Sequence, residues 1–324
     1  MGEFDLIAKI RARASTVRRD DVIVGIGDDA ALLQVPPGRQ LVVTMDTLNG
    51  GVHFPVETAP ADIGWKSLAV NLSDLAAMAA APAWCTLSLS MPQDDAGWVD
   101  AFLDGFLALA AQHGIALVGG DTTRGPLSIG VTAHGFVEPE RALRRDGAKA
   151  GDDVWVTGTL GDAAGALAQW RAGGAIDAAL RERLDRPTPR IAIGRALRDV
   201  AHACIDVSDG LLADLGHVAM ASGVGARIAL DALPVSTALR AMFDDTARRM
   251  LQTSGGDDYE LCFTAPPGER DAIVRSSAAH ATPATHIGSI VDGSGVHAFT
   301  ADDSEWTPPV TGYVHFADAA RHSR

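Results

Sequence analysis

Apolar residues at helical spacing open the chain. Leu6, Ile7, Ile10 and Ala14 share one face, with Lys9, Arg11 and Arg13 pointing elsewhere, which predicts an amphipathic helix within the first 20 residues. Short β-like runs then alternate with alanine-rich helical ones. Val22–Ile26 and Leu41–Met45 read as strands, and Ala61–Ala80 as a helix that buries Trp65, Leu68, Leu72, Leu75 and Ala79. Thr86–Ser90 is a strand, Gly97–His113 a helix, and Ile115–Val118 and Ser128–Val137 are strands again. The polar segment Pro139–Asp153 carries Arg141, Arg144, Arg145 and Lys149 and marks a boundary, giving domains over 1–138 and 139–324. A fresh start follows it: strand Val154–Thr157, a glycine turn and a helix from about Asp162. Helices over Arg190–Ala201 and Leu211–Ala221 and strands over Leu261–Thr264 and His286–Ile290 complete a pattern of class α/β (α+β).

Composition narrows the function classes. A length of 324 residues suits two domains, and the net charge of −14 argues against a nucleic-acid partner, which needs a basic face. That charge fits cation handling, or a surface that is simply soluble. The first residues carry acids where a signal peptide carries bases, and no apolar run follows them. The richest apolar stretch, Leu75–Leu89, is short and contains Pro82, so no membrane partner is expected and the location is cytoplasmic. Cys85, Cys204 and Cys262 lie far apart in apolar runs and read as buried thiols of a reducing compartment.

The aspartates carry the candidate chemistry. Asp28 and Asp29 follow the run ending at Gly27, Asp46 follows Leu41–Met45, Asp121 follows Gly119-Gly120, and Asp206 and Asp209, with Ser208 between them, follow Ile205. Asp74 comes just after Asn71 and Ser73. Acids at strand ends are ordinary turn and cap residues one at a time. Five or more beside glycines point further, because strand ends are where α/β folds build ligand sites. Converging carboxylates repel, and divalent cations are the natural compensation; magnesium takes a few carboxylates, water and substrate phosphates.

No G-x-x-x-x-G-K-[ST] is present and the lysines are only Lys9, Lys66 and Lys149, which excludes a P-loop NTPase. Phosphoryl transfer without such a loop would need metal ions held by aspartates, assisted by arginines such as Arg124 and Arg145. The segment Gly158-Thr-Leu-Gly161-Asp-Ala-Ala-Gly165 lacks dinucleotide-loop spacing and reads as a strand-to-helix turn, with phosphate contact at the helix start left open.

Taken together, Gly25-Ile-Gly-Asp28-Asp29-Ala, Asp46-Thr-Leu with His53-Phe54, and Lys66 through Met78 including Asn71-Leu-Ser-Asp74 form a specific set. Gly119-Gly-Asp121-Thr-Thr-Arg124, Asp206-Val-Ser-Asp209-Gly, Ser254-Gly-Gly-Asp257-Asp258-Tyr-Glu-Leu and Gly312-Tyr313 with His315-Phe316 extend it along the whole chain. The chain resembles the thiamine-monophosphate kinase family, within the superfamily of aminoimidazole ribonucleotide synthetase. The resemblance implies a two-domain α/β fold whose N-terminal domains pair in a homodimer, with the nucleotide in a cleft bordered by both domains. It implies ATP-dependent phosphorylation of thiamine monophosphate to thiamine diphosphate, the last step of that cofactor's synthesis, by direct in-line transfer with several Mg2+ ions. Asp29, Thr44, Met45, Asp46, Asp74, Asp121, Asp206 and Asp209 would hold the metals, Met45 through its backbone carbonyl because a thioether is a poor ligand for a hard cation. Of these Asp46, Asp121 and Asp209 would be catalytic. Gly120, Asp121, Arg145 and Ser208 would touch ATP, and His53 and Asp257 the substrate. Relatives place an aromatic ring where this chain has Val310, with Trp306 a little upstream. Two other readings stay open: an ATP-dependent synthetase of the purine-synthesis type, and a non-catalytic acidic cation-binding protein.

Overall fold

The computed structural model describes residues 3–14, 17–310 and 312–313, with the backbone alone for 3–6. His315 and Phe316 lie outside the described residues. In chain order the first elements are α1 (Glu3–Ala14), β1 (Val22–Val24), β2 (Leu32–Leu33), β3 (Gln40–Asn49), α2 (Pro60–Ala77), β4 (Ala81–Met91), α3 (Ala96–His113), β5 (Ala116–Arg124) and β6 (Ser128–Val137). Next come β7 (Asp153–Thr157), α4 (Asp162–Arg171), α5 (Ala178–Asp185), α6 (Ile191–Leu197), β8 (Ala203–Val207), α7 (Leu211–Ser222) and β9 (Gly225–Ala229). The last are α8 (Thr237–Met242), α9 (Asp245–Ser254), β10 (Glu260–Ala265), α10 (Arg270–Ala279), β11 (Ala284–Val291), β12 (Gly295–Phe299) and β13 (Glu305–Trp306). The chain divides into two compact units, Met1–Leu143 with Asp185–Asp199, and Arg144–Leu184 with Val200–Arg324. The second unit is thus interrupted by a stretch that returns α6 to the first, an excursion no local pattern announces.

The first unit is a four-stranded sheet, order β3-β6-β4-β5, with β4 and β5 parallel and the other pairs antiparallel. Helix α2 lies on one face of it and α3 packs on α2. The helices meet through glycine: a Cβ on Gly64 would sit 2.0 Å from the Phe102 carbonyl oxygen, and one on Gly105 1.7 Å from that of Ala61. Almost every α2 side chain from Ile63 to Ala77 is buried, Lys66, Ser67, Asn71 and Ser73 among them, so the helix is enclosed nearly all round. It stops at Ala77, three residues short of the expected end, because Ala79 turns left-handed (φ 57°) to start β4. Trp65, expected inside, is only half-buried; its Nε1 donates to the Pro187 carbonyl (2.9 Å) and the Arg186 guanidinium lies 5.5 Å from its ring centre. The other sheet face packs Trp84, Val118 and Phe136 against Val22, Leu33 and Val35. Lys9 and Arg13 of α1 pair with Asp100 and Asp104 of α3, which docks the basic side of that helix.

The second unit is a seven-stranded sheet, order β13-β12-β9-β11-β7-β10-β8, antiparallel except for β9 with β12. Strands β7, β8 and β10 are buried at every position, as strands covered on both faces are. The core gathers Val154, Val156, Ile205, Val207, Leu211, Leu215 and Cys262. All three cysteines are free and buried, as their apolar settings predict, and burial pushes each thiol pKa up. Among the described residues no helix is long and apolar enough to cross a membrane.

Candidate functional site

A cleft of about 740 Å³ in the first unit gathers residues 25–31 and 117–122 with Ile7 and Ile10 of α1. Its walls are Leu87, Leu117 and Val118, and Asp28, Asp29 and Asp121 also line it. All three acids are exposed. Asp28 accepts from the Asp29 amide and Asp121 from the Thr122 amide, each at 2.9 Å, so both carboxylates are held locally. Gly120 has φ 147°, and a Cβ there would lie 1.9 Å from the Leu87 carbonyl oxygen. Only glycine lets the edge strand β5 run this close to β4 beside the cleft.

A second group lies on the α2-covered face of the same sheet. Thr44 Oγ1 donates to Asp74 Oδ2. The Asp46 amide donates to Asn71 Oδ1 (3.1 Å), and buried Asn71 donates in turn to the Ser67 carbonyl (3.1 Å). Met45 lies between Thr44 and Asp46, and strand alternation turns it outward, where it is 62% exposed. Its side chain therefore points away from these oxygens. His53 Nδ1 accepts from the Asn49 amide at 2.9 Å, which places the proton of the neutral ring on Nε2. Beneath it, Lys66 is 2% exposed and donates to the His53 carbonyl at 3.2 Å.

The chain does not bring Asp46 and Asp121 together. They sit on the two edge strands of the sheet, about 14 Å apart at ordinary strand spacing. They also face opposite sides, since Asp46 registers with Val131 and Leu87, whereas Asp121 registers with Ser88. Among the described residues no three His, Cys, Asp or Glu side chains converge as a preformed cation site.

In the second unit, Asp206 lies inside β8, one residue before its end and nearly fully buried, and Ser208 and Asp209 are half-buried in the turn before α7. Asp214, one turn into α7, folds back so that Oδ2 accepts from the amides of Ser208, Asp209 and Gly210 at 3.0, 3.0 and 3.1 Å. Burial outweighs these bonds and pushes its pKa up to about 6. The 254–259 loop lies against this turn: the Asp257 amide donates to the Ser208 carbonyl and the Tyr259 amide to that of Val207, both at 2.8 Å. Tyr313 N donates to the Asp209 carbonyl (3.0 Å) from the other side. Arg145 is exposed, and its carbonyl accepts from Ser222 at the far end of α7. It is therefore separated from Ser208 by the length of that 12-residue helix, roughly 18 Å. Trp306 packs on the sheet core, whereas Val310 is exposed.

Four residues assigned no role from the sequence, Thr157, Arg183, Asp258 and Glu260, are built into this region. Asp258 is buried and takes the Gly161 amide on both carboxylate oxygens at 2.9 Å. The start of α4, open to phosphate on sequence grounds, thus already has its Gly161 amide taken by a carboxyl group of its own chain, whose pKa burial pushes well up. Arg183 binds Glu260 at 2.6 Å and lies 3.9 Å from Asp162, and Thr157 donates to Glu260 at 2.6 Å. The adjacent acids Asp257 and Asp258 in a glycine-led loop were the available signal. Arg183, in a helix with no marked pattern, offered none.

The donors assembled in both units are hard oxygens, suited to Mg2+ and not to a thiophilic metal. Residues 27–137 match the family model described as AIR synthase related protein, N-terminal domain, and residues 149–300 match its C-terminal domain. The chain is 48% identical over 322 residues to a thiamine-monophosphate kinase of Salmonella typhimurium, covering 98% of each. It is similar to the crystal structure of thiamine-monophosphate kinase from Stenotrophomonas maltophilia at 59% identity and a TM-score of 0.86, over 92% of this chain and 96% of that one. It also matches the solved complex of AaThiL with AMPPCP and TMP at 32% identity and a TM-score of 0.78, over 97% of each chain. Structures of the hydrogenase maturation protein HypE at 19–21% identity share the fold alone.

Proposed function

The chain belongs to the thiamine-monophosphate kinases of the AIR synthase related family, and from that membership we propose that it transfers the γ-phosphoryl group of ATP to thiamine monophosphate, giving thiamine diphosphate and ADP. The observation that carries the proposal is identity of 47–48% over 98% of the chain to enzymes of that name. A relative crystallised with AMPPCP and TMP supports it.

We assign the first-unit cleft to the nucleotide, with Gly120 admitting it against the strand and Asp121 and Asp29 facing its phosphates. Bound Mg2+ would neutralise phosphate charge as the transferring group moves. Its ligands would be Asp29, Thr44, the Met45 carbonyl, Asp46, Asp74 and Asp121 in the first unit, and Asp206 and Asp209 in the second. Oxygen-only donors suit a hard cation that also shares phosphate oxygens. Ser208 and Arg145 would touch ATP, and His53 and Asp257 the substrate, with His53 donating through Nε2. The acceptor phosphate is ionised near neutral pH and needs no strong general base. Alignment and charge stabilisation therefore do the chemistry. We locate the enzyme in the cytoplasm, which suits three unpaired thiols.

We also propose a homodimer through the β3 edge. Leu41, Val43 and Met45 stand 42%, 54% and 62% exposed in a row on this edge strand, an apolar stripe that calls for a partner. A second copy would also supply what the separation of Asp46 from Asp121 leaves wanting. The function is tested by following ADP release from the purified protein with thiamine monophosphate and, separately, with purine-synthesis intermediates. Turnover with the former alone supports it; turnover with the latter alone defeats it.

A further inference from the structure

The 254–259 loop carries more fixed geometry than a single substrate contact requires. Asp257 (φ 69°) and Tyr259 (φ 50°) both adopt the left-handed region although neither is glycine. Such conformations persist only where the surroundings over-determine them, and they gather at functional sites. Here the surroundings are explicit. The amides of Asp257 and Tyr259 are fixed to the Ser208 and Val207 carbonyls at 2.8 Å. Between them Asp258 turns inward and clamps the Gly161 amide through both oxygens at 2.9 Å. Arg183 spans the same spot, 2.6 Å from Glu260 Oε1 and 3.5 Å from the Asp258 carbonyl. On the outward side, Tyr259 Oη donates to Asp257 Oδ1 at 3.0 Å.

We infer that Asp258 and Tyr259 are positioning residues for Asp257: Asp258 pins the loop from inside, and the Tyr259 hydroxyl sets the direction of the Asp257 carboxylate. This rests on the reading that Asp257 contacts the substrate. A carboxylate only accepts hydrogen bonds. Held in one orientation, it selects the amino-bearing, cationic heterocyclic part of the acceptor and not its phosphate. The strained backbone and the tyrosine bond then serve specificity for that ring system.

The test is a set of steady-state kinetic measurements on Asp257→Ala, Tyr259→Phe, Asp258→Asn and the two double variants carrying Asp257→Ala. Asp257→Ala is expected to raise KM for thiamine monophosphate. Tyr259→Phe removes one oxygen and should raise the same KM about tenfold, with KM for ATP unmoved, the loss expected of one hydrogen bond to a charged group. Combined with Asp257→Ala it should add less than about a factor of two, because its only proposed route to the substrate is gone. Asp258→Asn should follow the same pattern; if it fails to fold, the Tyr259→Phe pair decides. An unchanged KM in Asp257→Ala sinks the substrate-contact reading and this inference with it. A raised KM there, with Tyr259→Phe either silent or equally costly in both backgrounds, overturns the positioning roles alone.

Discussion

Replacing Gly120 by alanine separates backbone geometry from generic crowding. At φ 147° an L side chain is strained, at roughly 1–3 kcal/mol. The new Cβ would stand 1.9 Å from the Leu87 carbonyl oxygen, so β5 must move away from β4 by more than an ångström. One or two ladder hydrogen bonds would weaken, at about 1 kcal/mol each. Together these give about 4 kcal/mol, or a Tm lower by about 10 °C for a unit of this size. The neighbouring Gly119 is the internal control. A Cβ there meets only Thr86 Cγ2 at 3.9 Å, so Gly119→Ala should stay within about 0.5 kcal/mol of the parent. Thermal melts and urea titrations of both variants check the stability, and calorimetry with AMPPCP should find weaker binding to Gly120→Ala at a temperature where it is folded. Equal melting of the two variants would refute the reasoning.

Asp46→Asn and Asp209→Asn should each lower kcat by orders of magnitude with an unchanged circular dichroism spectrum; near-normal turnover at saturating Mg2+ would remove those residues from the metal set. Arg183→Met strands Glu260, Asp258 and Asp162 without their cation and should cost about 3–5 kcal/mol by urea midpoint. Asp214 has its pKa raised from 3.8 to about 6, so the folded state holds a proton that the unfolded state has lost. That contribution is fully present below about pH 4 and disappears as pH rises to about 6, a change of about 3 kcal/mol. Asp214→Asn should flatten the dependence of Tm on pH in that window, and an unaltered slope would contradict it. Val43→Lys on the exposed β3 stripe should shift sedimentation toward a monomer and lower turnover together.

The elements that were legible share a physical property: a strong period or a continuous apolar run. β3, α2, α3, β6 and α7 fall where Val42, Leu68, Phe102, Val131 and Leu215 repeat at the spacing their burial demands. The second unit hid more. β9, α9, α10 and β12 have short or mixed patterns, and their order in the sheet depends on long-range pairing that no window contains. Helix α6 is shorter than Arg190–Ala201 suggests and belongs to the first unit, because Gly194 packs against the Ala76 carbonyl of α2. Of the candidate site, the aspartates were visible as acids beside β-like runs, but of the proposed metal ligands only Asp29 and Asp209 come after a strand: Asp46, Asp121 and Asp206 lie within β3, β5 and β8, which run further than their apolar cores, and Asp74 lies within α2. Asn71, Lys66 and Asp258 act from inside on backbone groups distant in sequence, and Asp214 on the amides of the turn just before its helix; single residue types do not announce such bonds.

The most direct measurement follows the phosphoryl group itself. ATP labelled in its γ-phosphoryl group is mixed with excess enzyme, Mg2+ and thiamine monophosphate, and the products are separated after one turnover. Label recovered in thiamine diphosphate, in step with ADP and abolished by chelating the magnesium, is the expected result. Label appearing as inorganic phosphate, with thiamine monophosphate unchanged, would contradict the account.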